Sequence, residues 1–391
     1  MNISTSGGKR VLTLPITVLL GMLMLLSACK EQEQSVLSGS MQYATLLSLD
    51  ESERNGQTSA EDGFIPFTFS VRDPWHEGRT LQQLSVEQPF RRIVMLSSVH
   101  ASLMNELGRL QVVCGICDAD YLCDGAIKRA VQQGSIADCG SSLQPNIERI
   151  VSLKPDAIFV SPYENADITK LQHLGVPIVQ CADYMESSPL GRAEWVKAYG
   201  RMVGARQMTD SLFAAVAERY NALAAKTANA KDGKTNNGKG GGAANLKGKG
   251  KTVQVLSDML LGNVWYQPAA ASTIGQFYHD AGAATPFDDM AGQGSLPLSE
   301  EQVLQRGSDA EVWLIKQSYD ITLQQLGAQN AVYRQFRAFR DGNVWFCNTT
   351  QTMYYETVPF HPDLLLENLI MIFHPELGIQ PQRAYFQPMK P

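Results

Sequence analysis

The sequence lacks the motifs by which common enzyme classes are recognised. It has no Ser-His-Asp arrangement with a nucleophile elbow, no glycine-rich phosphate loop and no His-Glu-x-x-His pair. The glycine and lysine run at 238–251 lacks the strand and helix that flank a phosphate loop. The sequence therefore shows no catalytic motif, and we expect no enzymatic activity.

Basic clusters are also missing from the parts of the chain that are expected to fold. The 391 residues carry a formal net charge of −6. Residues 1–28 contribute Lys9 and Arg10 and no acid, so removing them shifts the net charge from −6 to −8. An acidic chain without a basic patch does not attract nucleic acid, and we expect no nucleic-acid partner.

Only the N-terminus has a long apolar run, and no later stretch is long and charge-free enough to span a bilayer. The run at 11–26 follows two basic residues and is short for a stable span, which is the order of a secretory signal. It ends in Leu26-Ser27-Ala28-Cys29, which resembles the lipobox of bacterial lipoproteins. The resemblance implies that Cys29 becomes the lipid-modified, palmitoylated first residue of an exported protein. That protein would be held at the periplasmic face of the inner membrane or at the cell-envelope surface, whereas the alternative is an uncleaved anchor or a buried N-terminal helix.

Six cysteines follow Cys29, at positions 114, 117, 123, 139, 181 and 347. Cys114 and Cys117 have Cys-x-x-Cys spacing, but no histidine lies nearby at zinc-finger spacing, and Cys114 falls inside a strand pattern. We therefore expect a structural disulfide or buried thiols, with Cys123–Cys139 as one pairing that the sequence allows.

The length after the signal, about 360 residues, exceeds what one core usually holds, and this predicts two domains. Residues 30–60 are polar and aperiodic, and regular structure is expected to begin near Phe64. The predicted segments are a signal peptide at 1–28, a lipid-anchored tether at 29–63, an N-terminal α/β lobe at 64–190, an interlobe helix at 191–230, a disordered Gly/Lys loop at 231–251 and a C-terminal α/β lobe at 252–391.

Short β-rich runs alternate with helical segments on both sides of one long helical stretch, which predicts α/β architecture with parallel sheets. The predicted strands are 92–96, 112–116, 157–160, 177–180, 252–257, 310–315 and 343–347. The predicted helices are 100–107, 147–153, 168–174, 193–226, 273–281, 299–304 and 362–373. Glycines at 200 and 204 weaken the long helix at 193–226 slightly. The fold class is thus two parallel-sheet α/β lobes joined by a single long helix.

Six segments, in order along the chain, carry a family resemblance. They are RIVMLS at 92–97, NIERIVSLKPDAI at 146–158, WY at 265–266, GQF at 275–277, LSEEQVL at 298–304 and HPDLL at 361–365. From about Phe90 to Leu377 the chain resembles the substrate-binding proteins of ABC importers for iron–siderophore complexes, haem and vitamin B12. The resemblance implies a ligand cleft between the lobes, little hinge opening because the interlobe helix is rigid, and delivery of the ligand to a permease dimer with its ATPase. A monomer is expected.

The implied cleft lies at the C-terminal ends of the strands, where open parallel sheets bind ligands. Aromatic, hydroxyl-bearing and polar residues are expected there and suit a flat, partly apolar ligand with a few polar groups. The candidate ligand-binding residues are Ser98, His100, Asp118, Tyr121, Tyr163, Tyr184, Trp265, Tyr266, Tyr354 and Tyr355. The alternative for the aromatic members is that they pack the lobe interface.

The resemblance is broadest for iron–siderophore binding, so a ferric siderophore is the first expectation. Siderophore sites often use arginines, and the strand ends supply few, so haem and cobalamin remain open. Tyr354 and Tyr355 with His361 are candidate axial ligands of a haem iron, although His361-Pro362 also reads as an ordinary helix start. The chelate is transported, and no resident cofactor or metal is expected.

Two carboxylates, Glu148 and Glu301, lie in short predicted helices, one in each lobe. In the resembled family such a pair docks against arginines of the permease dimer, and such rim charges steer docking. Glu300 is an alternative to Glu301, and both positions also suit carboxylates that stabilise a helix dipole.

Two rival functions remain on the same fold. One is a surface chelatase or hydrolase that uses His100, Asp118 and Tyr355. The other is a sensor or adhesin lipoprotein that binds no small molecule and in which Glu148 and Glu301 have no role in transport.

Overall fold

The computed structural model describes residues 41–51, 64–164, 168–231 and 252–391, which all belong to the unit Gly39–Pro391. The predicted signal peptide, Cys29, most of the tether and nearly all of the Gly/Lys loop lie outside the described residues. None of the helices within the described ranges has the length and apolar character needed to cross a membrane.

The strands are β1 Leu47–Asp50, β2 Phe67–Arg72, β3 Thr80–Val86, β4 Ile93–Met95, β5 Val113–Ile116, β6 Ala137–Asp138, β7 Gly140–Ser141, β8 Gln144–Pro145, β9 Ala157–Val160, β10 Ile178–Gln180, β11 Val253–Ser257, β12 Leu260–Leu261, β13 Val264–Pro268, β14 Ala283–Ala284, β15 Ser295–Leu298, β16 Val312–Gln317, β17 Val344–Asn348 and β18 Gln387–Pro388. The helices are α1 Ser98–Glu106, α2 Gly125–Gln132, α3 Ile147–Leu153, α4 Thr169–Gln172, α5 Pro189–Glu194, α6 Val196–Met202, α7 Arg206–Lys231, α8 Thr273–Asp280, α9 Glu300–Gly307, α10 Leu323–Gln329, α11 Arg337–Arg340, α12 Tyr354–Thr357 and α13 Pro362–Phe373.

Each lobe is built on a five-stranded sheet. The first sheet has the order β10-β9-β4-β5-β6 with every neighbouring pair parallel. The second has the order β14-β11-β16-β17-β18, in which only the β17–β18 pair is antiparallel. Strands β4 and β9 are buried along their whole length, as expected for parallel strands covered by helices on both faces. The predicted α/β fold class is confirmed, while the exact domain boundaries stay predictions.

The long helix predicted at 193–226 is wrong in its bounds, because three helices occupy this region. Helices α5 and α6 meet at Trp195, and α6 ends before a turn in which Gly204 adopts a φ of +68°. Helix α7 then runs on its own and packs against α6 and against α13 of the second lobe. Gly204 was the available sequence signal, since a left-handed residue ends a helix and glycine adopts that conformation without strain.

Regular structure begins earlier than Phe64, which corrects the predicted extent of the tether. Strand β1 pairs with β2, and β2 pairs with β3, in an antiparallel sheet whose Leu47 and Leu49 are buried. We call residues 41–86 the N-terminal extension. Gln82 in β3 contacts β10, where its side-chain oxygen accepts a 2.8 Å hydrogen bond from the backbone N–H of Gln180. The extension therefore covers the edge of the first lobe's sheet.

The six cysteines after Cys29 are all free thiols, so the Cys123–Cys139 bridge is wrong. Cys114, Cys117 and Cys139 belong to the apolar cluster behind the first sheet. Burial, and then the neighbouring Cys139, raise the pKa of Cys117 to about 12. A thiol of this kind stays protonated at neutral pH, so the Cys-x-x-Cys spacing reflects packing of β5.

One apolar core runs through both lobes. It includes Phe69 of the N-terminal extension, Trp195 between α5 and α6, Val255 of β11 and Leu369 of α13. Arg219 on α7 adds ion pairs to α13, at 3.3 Å from Asp363 and 2.6 Å from Glu367. The lobes are therefore fused through shared side-chain packing as well as by the connecting chain.

We predict that Gly200→Ala destabilises the protein by about 2 kcal/mol, because overpacking a tight contact costs more than alanine gains in a helix. A Cβ on Gly200 would lie 2.7 Å from the Cβ of Thr209 and still closer to the other Thr209 side-chain atoms. Urea unfolding measures the change. Gly125→Ala, which has room at its own helix start, is the control and should not lose stability. Equal stability of the two variants would contradict the close α6–α7 approach.

Candidate functional site

A cavity of about 1070 Å³ lies between the two lobes, at the C-terminal ends of their strands. The first lobe contributes residues 184–189 and Arg192, which follow β10. The second lobe contributes Asp258 after β11, Lys316 of β16 and the pair Tyr354 and Tyr355 after β17. We call this space the interlobe cavity. Its volume slightly exceeds the usual range for ligand pockets, about 300–1,000 Å³.

Lys316 and Asp258 form an ion pair in the wall of the interlobe cavity. The Lys316 Nζ lies 2.9 Å from both carboxylate oxygens of Asp258. Burial lowers the pKa of Lys316, but the charge and hydrogen bonds of Asp258, together with the neighbouring Tyr354 and Tyr278, outweigh burial and hold that pKa above its ordinary value. Asp258 has a φ of 53°, a left-handed conformation that non-glycine residues adopt rarely and that occurs often at functional sites.

Side chains of β13 hydrogen-bond to the backbone of the last residue of β11, Ser257. Gln267 accepts a 3.1 Å hydrogen bond from the Ser257 N–H and donates a 2.6 Å hydrogen bond to the Ser257 carbonyl. The Trp265 indole donates to the same carbonyl at 2.9 Å. These contacts place Ser257 and Asp258 rigidly at the cavity, because each donor and acceptor is itself buried.

Helix α12 presents two tyrosines to the cavity in different ways. Tyr354 is almost fully buried, and its ring packs edge-on against Tyr355 at a centroid distance of 5.3 Å. Burial raises the pKa of Tyr354, so its phenol remains protonated at neutral pH. Tyr355 is more than half exposed and is available for stacking on a ligand.

The buried carboxylate of Asp183 positions the part of the cavity wall that comes from the first lobe. His100 Nε2 and Tyr199 OH each lie 2.8 Å from Asp183 Oδ1, and Arg192 Nε lies 3.2 Å from Oδ2. Burial raises the pKa of Asp183, but these partners outweigh it and hold the pKa below its ordinary value. Arg192, which lines the cavity, is thereby fixed by an anion of the protein itself.

Four of the ten predicted ligand-binding residues line the interlobe cavity, namely Tyr184, Tyr266, Tyr354 and Tyr355. Trp265 does not. Its side chain is 0% exposed and packs against Trp313, Tyr333 and Phe336 in the core of the second lobe. Alternation along β13 explains the difference, since Trp265 and Tyr266 point to opposite faces of the strand.

His100 also lies away from the cavity. Its ring is buried against Asp183, Tyr199 and Phe360 of the second lobe. Helix α1 packs directly against α12, so the lobes are in contact where the strand-end loop before α1 was expected to face a cleft. The histidine is therefore part of the interface core.

The remaining predicted residues do not line the interlobe cavity either. Ser98 lies at the start of α1, and Asp118 accepts a 3.0 Å hydrogen bond from the Ser142 N–H. Tyr121 and Tyr163 are exposed on the surface. Of the chelatase candidates His100, Asp118 and Tyr355, only Tyr355 lines this cavity. The three residues are thus not gathered around it.

His361 is not available as the axial partner of Tyr354 or Tyr355. Its Nε2 lies 2.7 Å from Glu106 of α1, in an ion pair that joins the lobes. Burial lowers the pKa of His361, but the hydrogen bond and the charge of Glu106 outweigh burial and raise it. The haem-ligand alternative for this histidine finds no support in the geometry.

Sequence reasoning missed two groups of cavity residues. The first is the Lys316–Asp258 pair, which lies at two neighbouring strand ends and was detectable by that position. The second is contributed by the N-terminal extension, including Trp75 in the loop between β2 and β3. No local pattern around Trp75 indicates that its loop reaches the cavity.

Glu148 and Glu301 occupy matching positions. Each is exposed and is the second residue of its helix, in α3 after the N-cap Asn146 and in α9 after the N-cap Ser299. A hydrogen bond from Ser299 lowers the pKa of Glu301 and keeps it ionised. Glu300 is less exposed and is bonded to Asn330, so Glu301 is the freer of the two carboxylates.

Comparison with known proteins identifies a family. Residues 93–349 match the family model described as "Periplasmic binding protein". A relative from Methanocaldococcus jannaschii, an uncharacterized lipoprotein, is 27% identical over 301 residues, which is 74% of this chain and 67% of the relative. A cobalamin-binding protein from Halobacterium salinarum is 24% identical over 269 residues, 68% of this chain and 65% of the relative.

Solved structures show the same fold. The structure described as an ABC-type Fe3+-hydroxamate transport system from Saccharomonospora viridis superposes with a TM-score of 0.54 at 17% identity. The match covers 78% of this chain and 98% of the other. At this identity the likeness establishes the two-lobed architecture and leaves the ligand to be argued from the site.

We predict that Lys316→Met lowers the free energy of unfolding by about 2 kcal/mol at pH 7.5, less than a fully buried pair because Asp258 is partly exposed. Adding Asp258→Asn should restore at least half of the loss. Because the pKa of Lys316 is raised in the folded state, its contribution to stability is complete below the pKa of an unfolded lysine, about 10.4. That contribution is lost only as the pH rises above this value. The deficit should therefore be constant between about pH 6 and 9 in urea unfolding, and a deficit that disappears within this range would contradict the pairing.

Proposed function

We propose that this chain, which belongs to the periplasmic binding protein family, is the substrate-binding component of an ABC importer that captures a large metal chelate outside the cytoplasm. The match of residues 93–349 to the family supports the transport role. The interlobe cavity supports the ligand class, because its volume of about 1070 Å³ suits a bulky ligand.

The observation that carries the proposal is the charge of the cavity wall. Among the described residues that line it, the cations are Arg192 and Lys316, and each is bound to an aspartate. A polyanionic chelate would find no unpaired cation in this set, and burying unpaired anionic groups is costly. The wall therefore favours a chelate without net negative charge.

The uncharged residues of the wall also favour a neutral ligand. Its aromatic members offer flat apolar faces, and Gln276, Gln293, Thr273 and Ser295 offer amide and hydroxyl groups. A cobalamin-type corrinoid has a flat macrocycle rimmed with neutral amides, which suits such a wall. The named function of the Halobacterium salinarum relative supports this ligand. A neutral ferric hydroxamate has related chemistry and is the second candidate, so the siderophore expectation is retained in this narrower form.

Calorimetric titration tests the ligand class with the protein lacking residues 1–29. We expect saturable one-to-one binding of cyanocobalamin, and weaker binding of a neutral ferric trihydroxamate. A ferric tricatecholate, which carries three negative charges, and haem, which carries two carboxylates, should bind at least tenfold more weakly than cyanocobalamin because no cation in the wall is free. Preferred binding of either anionic chelate would contradict the charge argument, and silence of the whole panel would overturn the proposed function.

Delivery to the permease is the second half of the proposal. Glu148 and Glu301 are the docking residues that we propose, one on each lobe, because both are exposed and stand at the same position of equivalent helices. Rim charges of this kind steer docking and fix its orientation, and they contribute little to ligand affinity. The protein is proposed to act as a lipid-anchored monomer, with Cys29 as the modified residue.

Charge reversal separates docking from capture. We predict that Glu148→Arg with Glu301→Arg reduces chelate uptake by a reconstituted importer at least tenfold, since like charges facing each other across an interface cost several kcal/mol. The ligand affinity of the isolated variant should not change. Glu218→Arg, at an exposed carboxylate on α7, is the matched control and should transport normally. Full uptake by the double variant would favour the interaction lipoprotein.

A further inference from the structure

We infer that the ligand site has a third wall from outside the two lobes, and that Trp75 in this wall determines affinity and ligand size. The wall consists of Thr45, Leu46, Pro74 and Trp75, which we call the N-terminal wall. All four residues precede the region that matches the family, 93–349. The N-terminal wall therefore lies outside the part of the chain that matches the family model. The inference rests on the proposed function, because it concerns the ligand of the same cavity.

Two buried carboxylates hold the segment that carries Thr45 and Leu46. Glu186 accepts hydrogen bonds from the Thr45 N–H at 2.9 Å, the Thr45 hydroxyl at 2.8 Å and the Leu46 N–H at 3.0 Å. Glu194 accepts the N–H groups of the three preceding residues, 42–44, at 2.7–3.0 Å. Five consecutive backbone donors are thus satisfied by side chains of the first lobe. Buried charge-assisted bonds of this kind are strong and fix the segment in place.

The turn that carries Trp75 is also held firmly. Asp73 Oδ1 accepts hydrogen bonds from the backbone N–H groups of Trp75, at 2.9 Å, and His76, at 3.0 Å. The Arg72 N–H donates to the Leu46 carbonyl at 2.8 Å, which ties this turn to the Glu186-bound segment. The Trp75 ring is partly exposed at the cavity. A preorganised aromatic side chain loses little entropy when a ligand stacks on it, so it is well suited to set affinity.

The N-terminal wall meets both lobes at Glu186. The Glu186 side chain binds the extension and accepts a 2.9 Å hydrogen bond from the Trp195 indole. The backbone carbonyl of Glu186 accepts a 2.7 Å hydrogen bond from the Thr273 hydroxyl of the second lobe. Thr273 itself lines the cavity. The three walls are therefore fixed relative to one another, and the N-terminal wall limits the width of the site.

The experiment compares cyanocobalamin affinity by calorimetry in the wild type, Trp75→Ala, Trp75→Phe and Tyr319→Ala. Loss of a large aromatic contact should weaken Trp75→Ala about tenfold, whereas Trp75→Phe should lose less than about threefold because a flat ring remains. Tyr319 is an exposed tyrosine outside the cavity, and its replacement should leave affinity unchanged. Equal urea midpoints of the four proteins exclude an effect through unfolding.

Size selection is tested with cobinamide, a corrinoid without the nucleotide loop. In the wild type the two corrinoids should differ in affinity, and Trp75→Ala should reduce that difference. Unchanged affinity and unchanged discrimination in Trp75→Ala would overturn the N-terminal wall while leaving the proposed function intact. Failure of the wild type to bind any chelate of the panel would overturn the proposed function, and the N-terminal wall with it.

Discussion

Three buried carboxylates in one short segment hold the molecule together. Asp183 is bound by His100, Arg192 and Tyr199, and it thereby joins α1 to α6. Glu186 and Glu194, a few residues later, bind the N-terminal extension. An unpaired buried carboxylate is strongly destabilising, so each of them defines where its partners must be. The interlobe cavity and the segment that closes its third side are consequences of satisfying these three charges.

The continuity of the apolar core determines how far the lobes can move. Side chains of the first lobe, of α7 and of α13 pack in one cluster, and the Glu106–His361 ion pair adds a polar contact between the lobes. Hinge motion would have to open well-packed apolar surface, in contrast to proteins whose domains meet through small polar interfaces. Ligand exchange in such a molecule is a matter of small displacements around a largely preformed cavity.

Local patterns predicted the parallel sheets well and the site only in part. Strand β9 and helix α3 have the bounds that their buried runs and caps predict, because both are specified within a few residues. His100 and Trp265 were misplaced because their partners are distant in sequence or set by strand alternation, with Asp183 lying 83 residues from His100. The N-terminal extension escaped prediction for the same reason. Residues 42–46, which lead into β1, are held by the carboxylates of Glu186 and Glu194, which lie 140 to 152 residues further along the chain.

The sequence separation between residues 42–46 and the two carboxylates that bind them also bears on the order of assembly. The hydrogen bonds from residues 42–46 to Glu186 and Glu194 close loops of 140 to 152 residues. Long-range contacts of this kind form late, because loop closure costs entropy before the contact repays it. The first lobe must present its carboxylates before the extension has anything to bind. The extension is therefore among the parts of the fold that dock late, and the third wall of the cavity is complete only when residues 42–46 bind these carboxylates.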